Sequence, residues 1–325
     1  MKIELKSKDG LGMLAAFAEK IGSTVKNGRV EVPKEFGTGF IQGFNFDERL
    51  RMMIRNYELH QDFAISRRNQ PSNMLIFNFQ HIINSSKTTS GIKLQPSVQI
   101  TTQGLNAELF VPKNTVQNSI AMVIDAGYLR ELIGKRIDHP LVNTILENEQ
   151  PLLFEEFVVA PLLKVVDDIM HANVPELLHD FYYKLKTQEL ICQLLIALVS
   201  RHEKKVHGLN IADIKALYQV KERLLQNLGE APSVAALSAF SGMSETKLKR
   251  LFNQVFGRSI YQYFQNFRMQ EAARLLKEER LSVSEAGYQL GFSNLGHFSK
   301  VFEEVMGVKP KRYSMSAQAE RVDKL

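Results

Sequence analysis

Lysine and arginine, rather than histidine or cysteine, are the chemistry-bearing residues that this sequence concentrates. From Lys221 to Leu325 there are sixteen Lys+Arg against eleven Asp+Glu, whereas the first 220 residues hold twenty-five against twenty-four. Nearly all of the formal +6 charge therefore sits in the last third. A cationic surplus placed this way suits the neutralisation of phosphates. Other chemistries are thinly provided for. A metal centre needs His and carboxylates clustered on neighbouring elements. His60 and His81 lack the close HxH pairing, and His171, His179, His202 and His207 are scattered over helix faces. Neither a phosphate-cradling glycine loop nor a nucleophile motif is found, so the reading is a non-enzyme without a cofactor. Cys192 is the single cysteine, which rules out a disulfide framework and points to a reducing, cytoplasmic compartment. Lying within ELICQLLIALV, it reads as a buried structural thiol.

The elements that position the basic residues occur twice. SVAALSAFSGMSETKLKRLFNQVFG begins at Ser233 and SVSEAGYQLGFSNLGHFSKVFEEVMG begins at Ser282. At an offset of 49, Ser233, Val234, Gly242 and Ser244 meet Ser282, Val283, Gly291 and Ser293. One extra residue shifts the offset to 50, and Leu248, Arg250, Phe252, Val255 and Gly257 meet Phe298, Lys300, Phe302, Val305 and Gly307. Each copy reads as a short apolar helix, a glycine turn and a second amphipathic helix, the helix-turn-helix arrangement. Between them IYQYFQNFRMQEAARLLKEE, from Ile260 to Glu279, reads as one helix without internal Gly or Pro. Its length of roughly 30 Å is close to one turn of B-DNA, about 34 Å. A rigid spacer of that length can hold two reading helices on one side of a duplex.

On these residues the segment from Ser233 to Tyr313 resembles the duplicated DNA-binding domain of AraC/XylS-family bacterial transcription regulators. AGYQLGFSNLGHFSKVFEEVMGVKPKRY fits that family's signature, with the GF pair, the HFSKVF core and a glycine followed by a proline three residues later; RMQEAARLL also matches the linker. The resemblance implies a transcription regulator that binds double-stranded promoter or operator DNA, acts with RNA polymerase and pairs as a homodimer. It assigns base contacts to Thr246, Lys249 and Arg250 in the first copy and to Leu295, Gly296, His297 and Lys300 in the second. Lys249 and Arg250 suit guanine O6 and N7 or phosphates, and Thr246 suits a thymine methyl. Leu248, Leu251, Phe252 and Val255 fall at core spacing. Lys311 and Arg312 are candidate phosphate contacts. Gly296 offers no side chain and Leu295 only apolar contact, so sequence reading should rest on the first copy. Gly296 either admits a phosphate close to the helix N-terminus or sits at an unread position, the reading preferred here.

The fold class expected is α+β and multidomain. A β-rich domain covers 1–127, a helical segment for packing, dimerisation and connection covers 128–220, the all-α domain of two helix-turn-helix units joined by a linker helix covers 221–318, and 319–325 is a tail. In the first part LRMMIRNYEL, NMLIFNF, SVQITT, AELFVP and SIAMVID read as strands, separated by the loops RRNQPSN, NSSKTTSG and TQGLN. Short strands at this spacing suggest a sandwich or barrel, and the resemblance implies a cupin-like barrel. A small-molecule effector then has a pocket around Phe44, Phe46, Phe77 and Phe79, with Arg51 or Arg55 for an acidic ligand. The alternative is a protein-interaction or oligomerisation module with no small ligand. Phe181, Leu185, Cys192, Leu195 and Val199 form a stripe at alternating four- and three-residue steps, interrupted by Gln188. This stripe reads as core packing, part of it as a dimer interface. Apolar runs are too short to span a bilayer, and LGMLAAFA after Asp9 is a poor signal peptide.

Overall fold

The computed structural model describes residues 2–5, 10–67, 73–82, 94–102, 109–134, 138–201 and 208–315. Among them the chain forms two compact units that part between Ile214 and Lys215.

In the first unit β2 (Arg29–Glu31), β3 (Gly37–Asp47), β4 (Leu50–Leu59), β6 (Met74–Gln80), β7 (Ser97–Thr101), β9 (Gln117–Asp125) and β10 (Leu153–Phe157) make an antiparallel sheet in the order β10-β7-β6-β9-β4-β3-β2. A smaller sheet joins β1 (Lys2–Leu5), β5 (Phe63–Arg67) and β8 (Leu109–Val111). Alternation decides which face each strand buries. Leu50, Met52 and Ile54 of β4, Leu75, Phe77 and Phe79 of β6, and Ile120, Met122 and Ile124 of β9 are all at most 4% exposed and form one core. That core is closed by α2 (Ala126–Ile133), α3 (Pro140–Glu147), α4 (Ala160–Met170) and α5 (His179–Val199). A second core joins α1 (Gly10–Lys20), through Leu14, Phe17 and Ala18, and Ile21 just after it, to Ile41, Tyr57, Leu59 and Phe63. LGMLAAFA is thus a structural helix. The five expected strands are present, and the three expected loops fall largely outside the described residues.

Two expectations are corrected. The stretch from Tyr128 onward is not wholly helical, because Leu153–Phe157 extends the sheet by pairing with β7. Its five residues carry no helical or strand period of their own, and the pairing that defines them is made 52 to 60 residues away. Most of the stripe on α5 also faces the other way, although Leu195 packs against the core as expected. Phe181, Leu185 and Val199 are 64%, 49% and 46% exposed and Cys192 is exposed, while Thr187, Leu190, Ile191, Leu194 and Leu198 are buried. This helix is apolar on two faces, and period alone cannot tell which one meets the core.

The described part of the second unit is built of helices: α6 (Ile211–Leu224), whose first turn belongs to the first unit, α7 (Val234–Ser241), α8 (Glu245–Phe256), α9 (Ile260–Lys277), α10 (Val283–Gln289) and α11 (Leu295–Met306), with helical backbone resuming over 310–315. Each start has a chemical cause. Ser233, Ser244, Ser259, Ser282 and Asn294 cap α7 to α11 by accepting a backbone N–H with their side chains, and Gln262 and Glu285 complete capping boxes at Ser259 and Ser282. The bond from Ser282 lowers the Glu285 pKa. The repeat continues further than the sequence comparison took it. Tyr263 meets Phe252 edge-on at 5.4 Å, and Tyr313, fifty residues later, meets Phe302 in the same way at 5.6 Å.

Candidate nucleic-acid interface

The carried-over positions, apart from Leu295, are exposed and separate from the core. Leu248, Leu251, Phe252 and Val255 of α8 are at most 2% exposed, whereas Thr246, Lys249 and Arg250 stand on its solvent face. Lys249 Nζ is 3.0 Å from Glu245 Oε2, one helical turn earlier, with both side chains about half exposed. A pair of that kind contributes little stability, so Lys249 can exchange Glu245 for a phosphate at small cost. On α11, Phe298 and Phe302 are buried and Gly296, His297 and Lys300 are exposed. Leu295 is half-buried and leans on α10; a Cβ placed on Gly287 would lie 2.8 Å from its Cδ2. Lys311 and Arg312 are exposed at the far end.

Between α8 and α11, α9 runs for 18 residues, about 27 Å at 1.5 Å per residue. Two features of this unit, one on α9 and one after α10, were not legible as functional in the sequence. Arg268 is 8% exposed and donates to the Leu290 carbonyl at the end of α10 and, at 3.4 Å, to Gln265 Oε1. Its guanidinium lies 3.9 Å from the centre of the Phe292 ring. Burial lowers the Arg268 pKa. The Gly291 turn is pressed against the backbone of Gly229, closer than any side chain allows. An arginine inside RMQEAARLL was the available signal for the first of these.

Residues 237–316 match the family described as helix-turn-helix domain. The C-terminal unit is an AraC-type helix-turn-helix domain. The activator RhaR of Yersinia pseudotuberculosis is 30% identical over 127 residues, which is 39% of this chain and 44% of that protein. A probable transcriptional regulator, LumQ of Photobacterium leiognathi, is 30% identical over 124 residues, 38% of this chain and 48% of that one. The chain thus spans less than half the length of these curated relatives. Among solved structures, the DNA-binding domain of AdpA in complex with a target DNA is 28% identical, covering 33% of this chain and 96% of that one with a TM-score of 0.31. A probable AraC-family regulator from Rhodopseudomonas palustris is 30% identical, covering 32% and 97% with a TM-score of 0.30.

Within the AraC-type domain, the geometry adds a third account of Gly296. It occupies the second position of α11, and a Cβ there would stand 3.1 Å from Asn294 Oδ1, the oxygen that caps the helix by accepting the His297 N–H at 3.0 Å. The missing side chain leaves room for the cap. Gly296→Ser gains roughly 0.5 kcal/mol or so of helix propensity, and the squeezed cap takes back an amount of the same order. The variant is expected to melt within about 2 °C of the parent and to bind DNA within three-fold of it. A ten-fold loss of affinity with unchanged melting would show instead that the glycine admits a phosphate.

The effector candidates in the first unit are not brought together. Phe77 and Phe79 are fully buried in the helix-covered core. Phe44 packs on Tyr183 of α5 with centroids 4.2 Å apart, and Phe46 stacks behind it at 6.1 Å. Register places Phe77 and Phe44 in line with Met52, so Arg51 and Arg55, at odd positions of the same strand, point from the opposite face. Arg51 donates to Asn45 Oδ1 at 3.1 Å. Arg55 is 8% exposed, donates to Asn78 Oδ1 and borders a small solvent-connected cleft between α1 and the sheet, lined by Met13, Phe17, Met53 and Tyr57. Burial raises the Tyr57 pKa. No group of three or more His, Cys, Asp or Glu among the described residues is placed to hold a metal, and no described helix is long and apolar enough to cross a membrane.

Proposed function

We propose that this protein is a sequence-specific regulator of transcription that binds double-stranded promoter DNA through α8 and α11, with RNA polymerase as the machinery it serves. The observation that carries the reading is the duplicated motif itself: two capped helices, each buried on one face, with Lys249 and Arg250 exposed on the other face of α8 and His297 and Lys300 on that of α11. The +5 balance of residues 221–325 and the regulator names of relatives at 30% identity support it. Control by a small-molecule effector in the first unit is part of this proposal, but the cleft beside Arg55 is not its site, since it admits little more than one water molecule.

The test is DNA binding by the second unit together with the start of α6, cut so that the helix stays whole. Tyr218 packs edge-on against Phe256 at 5.6 Å and Asn210 caps α6 by accepting the Asp213 N–H at 2.7 Å, so the fragment should begin at Leu209 rather than within the helix at Lys221. Affinity for a site selected from random DNA is expected to fall by a factor of about a thousand between roughly 50 and 200 mM salt. Arg250→Ala should lose about 1–3 kcal/mol on that site and relax its sequence preference, whereas Lys311→Ala should weaken every sequence alike. A folded fragment with no DNA affinity at low salt would refute the reading.

A further inference from the structure

The helices α8 and α11 are unequal in charge. Over Glu245–Phe256, α8 carries Lys247, Lys249 and Arg250 against Glu245, a balance of +2. Over Leu295–Met306, α11 carries Lys300 against Glu303 and Glu304, a balance of −1. Such a helix is poorly suited to a polyanion as it stands. His297 is the further residue on it that can become positive, and of the eight histidines in the chain it alone lies after residue 207. An imidazole changes charge between about pH 5 and 8.

The ring is held in place with its nitrogens unused. It stands exposed in the first turn of α11, with its centroid 5.7 Å from that of the Phe292 ring. Phe292 is buried and fixed in turn by the Arg268 guanidinium, 3.9 Å from its ring centre. The bond from His297 to Asn294 uses the backbone N–H, and among the described residues no hydrogen bond or ion pair engages the ring nitrogens. Charges on the elements packed against α11 are committed elsewhere. On α9, Glu271 is tied to Arg274 at 2.7 Å, Arg268 donates to the Leu290 carbonyl, and Lys277 closes the helix. On α10, Glu285 accepts the Ser282 N–H at 2.8 Å, and the Tyr288 hydroxyl is the remaining titratable group. On α11 itself the Lys300 ammonium lies one turn further on, and Glu303 and Glu304 nearly two turns.

We propose, resting on the DNA-binding reading above, that α11 engages the duplex with His297 protonated, so that binding takes up a proton and pH sets the grip of the second copy. A phosphate oxygen or guanine N7 beside the ring favours the imidazolium, and the added charge brings α11 from −1 to neutral. By reciprocity, whatever the duplex adds to the imidazolium, the proton adds to the affinity. Binding is then strongest at low pH and weakens as pH rises through the range in which imidazole titrates. First-copy contacts from Lys249 and Arg250 keep their charge throughout that range.

The experiment takes the full-length chain and a duplex selected from random DNA, at constant ionic strength. Affinity is expected to fall about ten-fold between roughly pH 6 and pH 8, the contribution of one charge-assisted contact. Its logarithmic salt dependence should be steeper by about 0.9 at the lower pH, as one more counterion is released. His297→Gln, which keeps a hydrogen-bonding side chain but takes up no proton, should bind at both pH values as the wild type does at the higher one. His297→Lys, charged at both, should lose the pH dependence while keeping the tighter binding. A wild type whose affinity is flat over this range, or a pH dependence that survives in His297→Gln, would overturn the proposal and leave the DNA-binding reading standing. A chain that binds no DNA at either pH would refute that reading and this proposal with it.

Discussion

Gly291→Ala is expected to unfold the second helix-turn-helix. Two penalties fall on one atom. The residue sits at φ +75°, in the left-handed region, where a Cβ costs about 1–2 kcal/mol. That Cβ would also stand 1.9 Å from the Gly229 carbonyl oxygen and 2.8 Å from its carbon. These are backbone atoms of a turn that is itself held, with the Gly229 N–H donating to Asn227 Oδ1 at 2.8 Å. Relief requires moving that turn or giving up the bonds from the Gly291 N–H to the Tyr288 carbonyl, 2.9 Å, and from the Phe292 N–H to the Gly287 carbonyl, 3.0 Å. A loss above about 4 kcal/mol is expected, an exceptional value for one methyl group and a large share of a domain's usual 5–15 kcal/mol or so. Urea unfolding of the isolated second unit measures it. A loss below about 1.5 kcal/mol, little more than the left-handed strain, would show that the Gly229 turn gives way.

The repeat supplies its own control. Gly242 occupies the matching place in the first copy and has nearly the same backbone, φ +66°, yet nothing lies within 4 Å of where its Cβ would be. Gly242→Ala should cost only the left-handed strain, about 1 kcal/mol. Sequence comparison pairs these two glycines as equals. It reads the conformational demand they share, because a turn after an apolar helix needs the same backbone in both copies. It cannot read the approach of Gly229, sixty-two residues before Gly291, because no local pattern records a tertiary contact.

The same division explains what was legible elsewhere. Strands β4, β6 and β9 were readable because alternation is a local property that burial on one face imposes. The capped helices and exposed basic positions of the AraC-type domain were readable because caps and amphipathic stripes are also local. Which face of α5 meets the core was not, since Phe181 and Leu185 are as apolar as Leu190 and Leu194, and only the sheet beneath decides between them. The effector residues failed for a related reason. Phe77 and Arg55 lie on different strands, and only the register through Met122 and Met52 reveals that they point to opposite faces.

Arg268→Ala is expected to remove about 3 kcal/mol of stability from the AraC-type domain, through two contacts made far along the chain. A charged hydrogen bond to the Leu290 carbonyl contributes roughly 1.5–3 kcal/mol, and the stack on Phe292, 3.9 Å from the ring centre, about 1–2 kcal/mol in a desolvated setting. Part of this returns because the buried cation no longer has to be desolvated, the same effect that lowers its pKa. The geometry also says why lysine cannot substitute. An ammonium can reach the carbonyl or lie over the ring, but only the planar guanidinium serves both while also donating to Gln265. Arg268→Lys should therefore recover less than half of the loss. Because the arginine ties α9 to the end of α10 and to the residue after Gly291, its removal should loosen α11 while leaving α8 seated. Contacts from His297 and Lys300 would weaken before those from Arg250. Hydrogen exchange on the isolated second unit separates the copies: protection should fall in α10 and α11 and persist in α8. Uniform loss across both copies would mean that Arg268 holds the domain together as a whole rather than positioning its second reading helix.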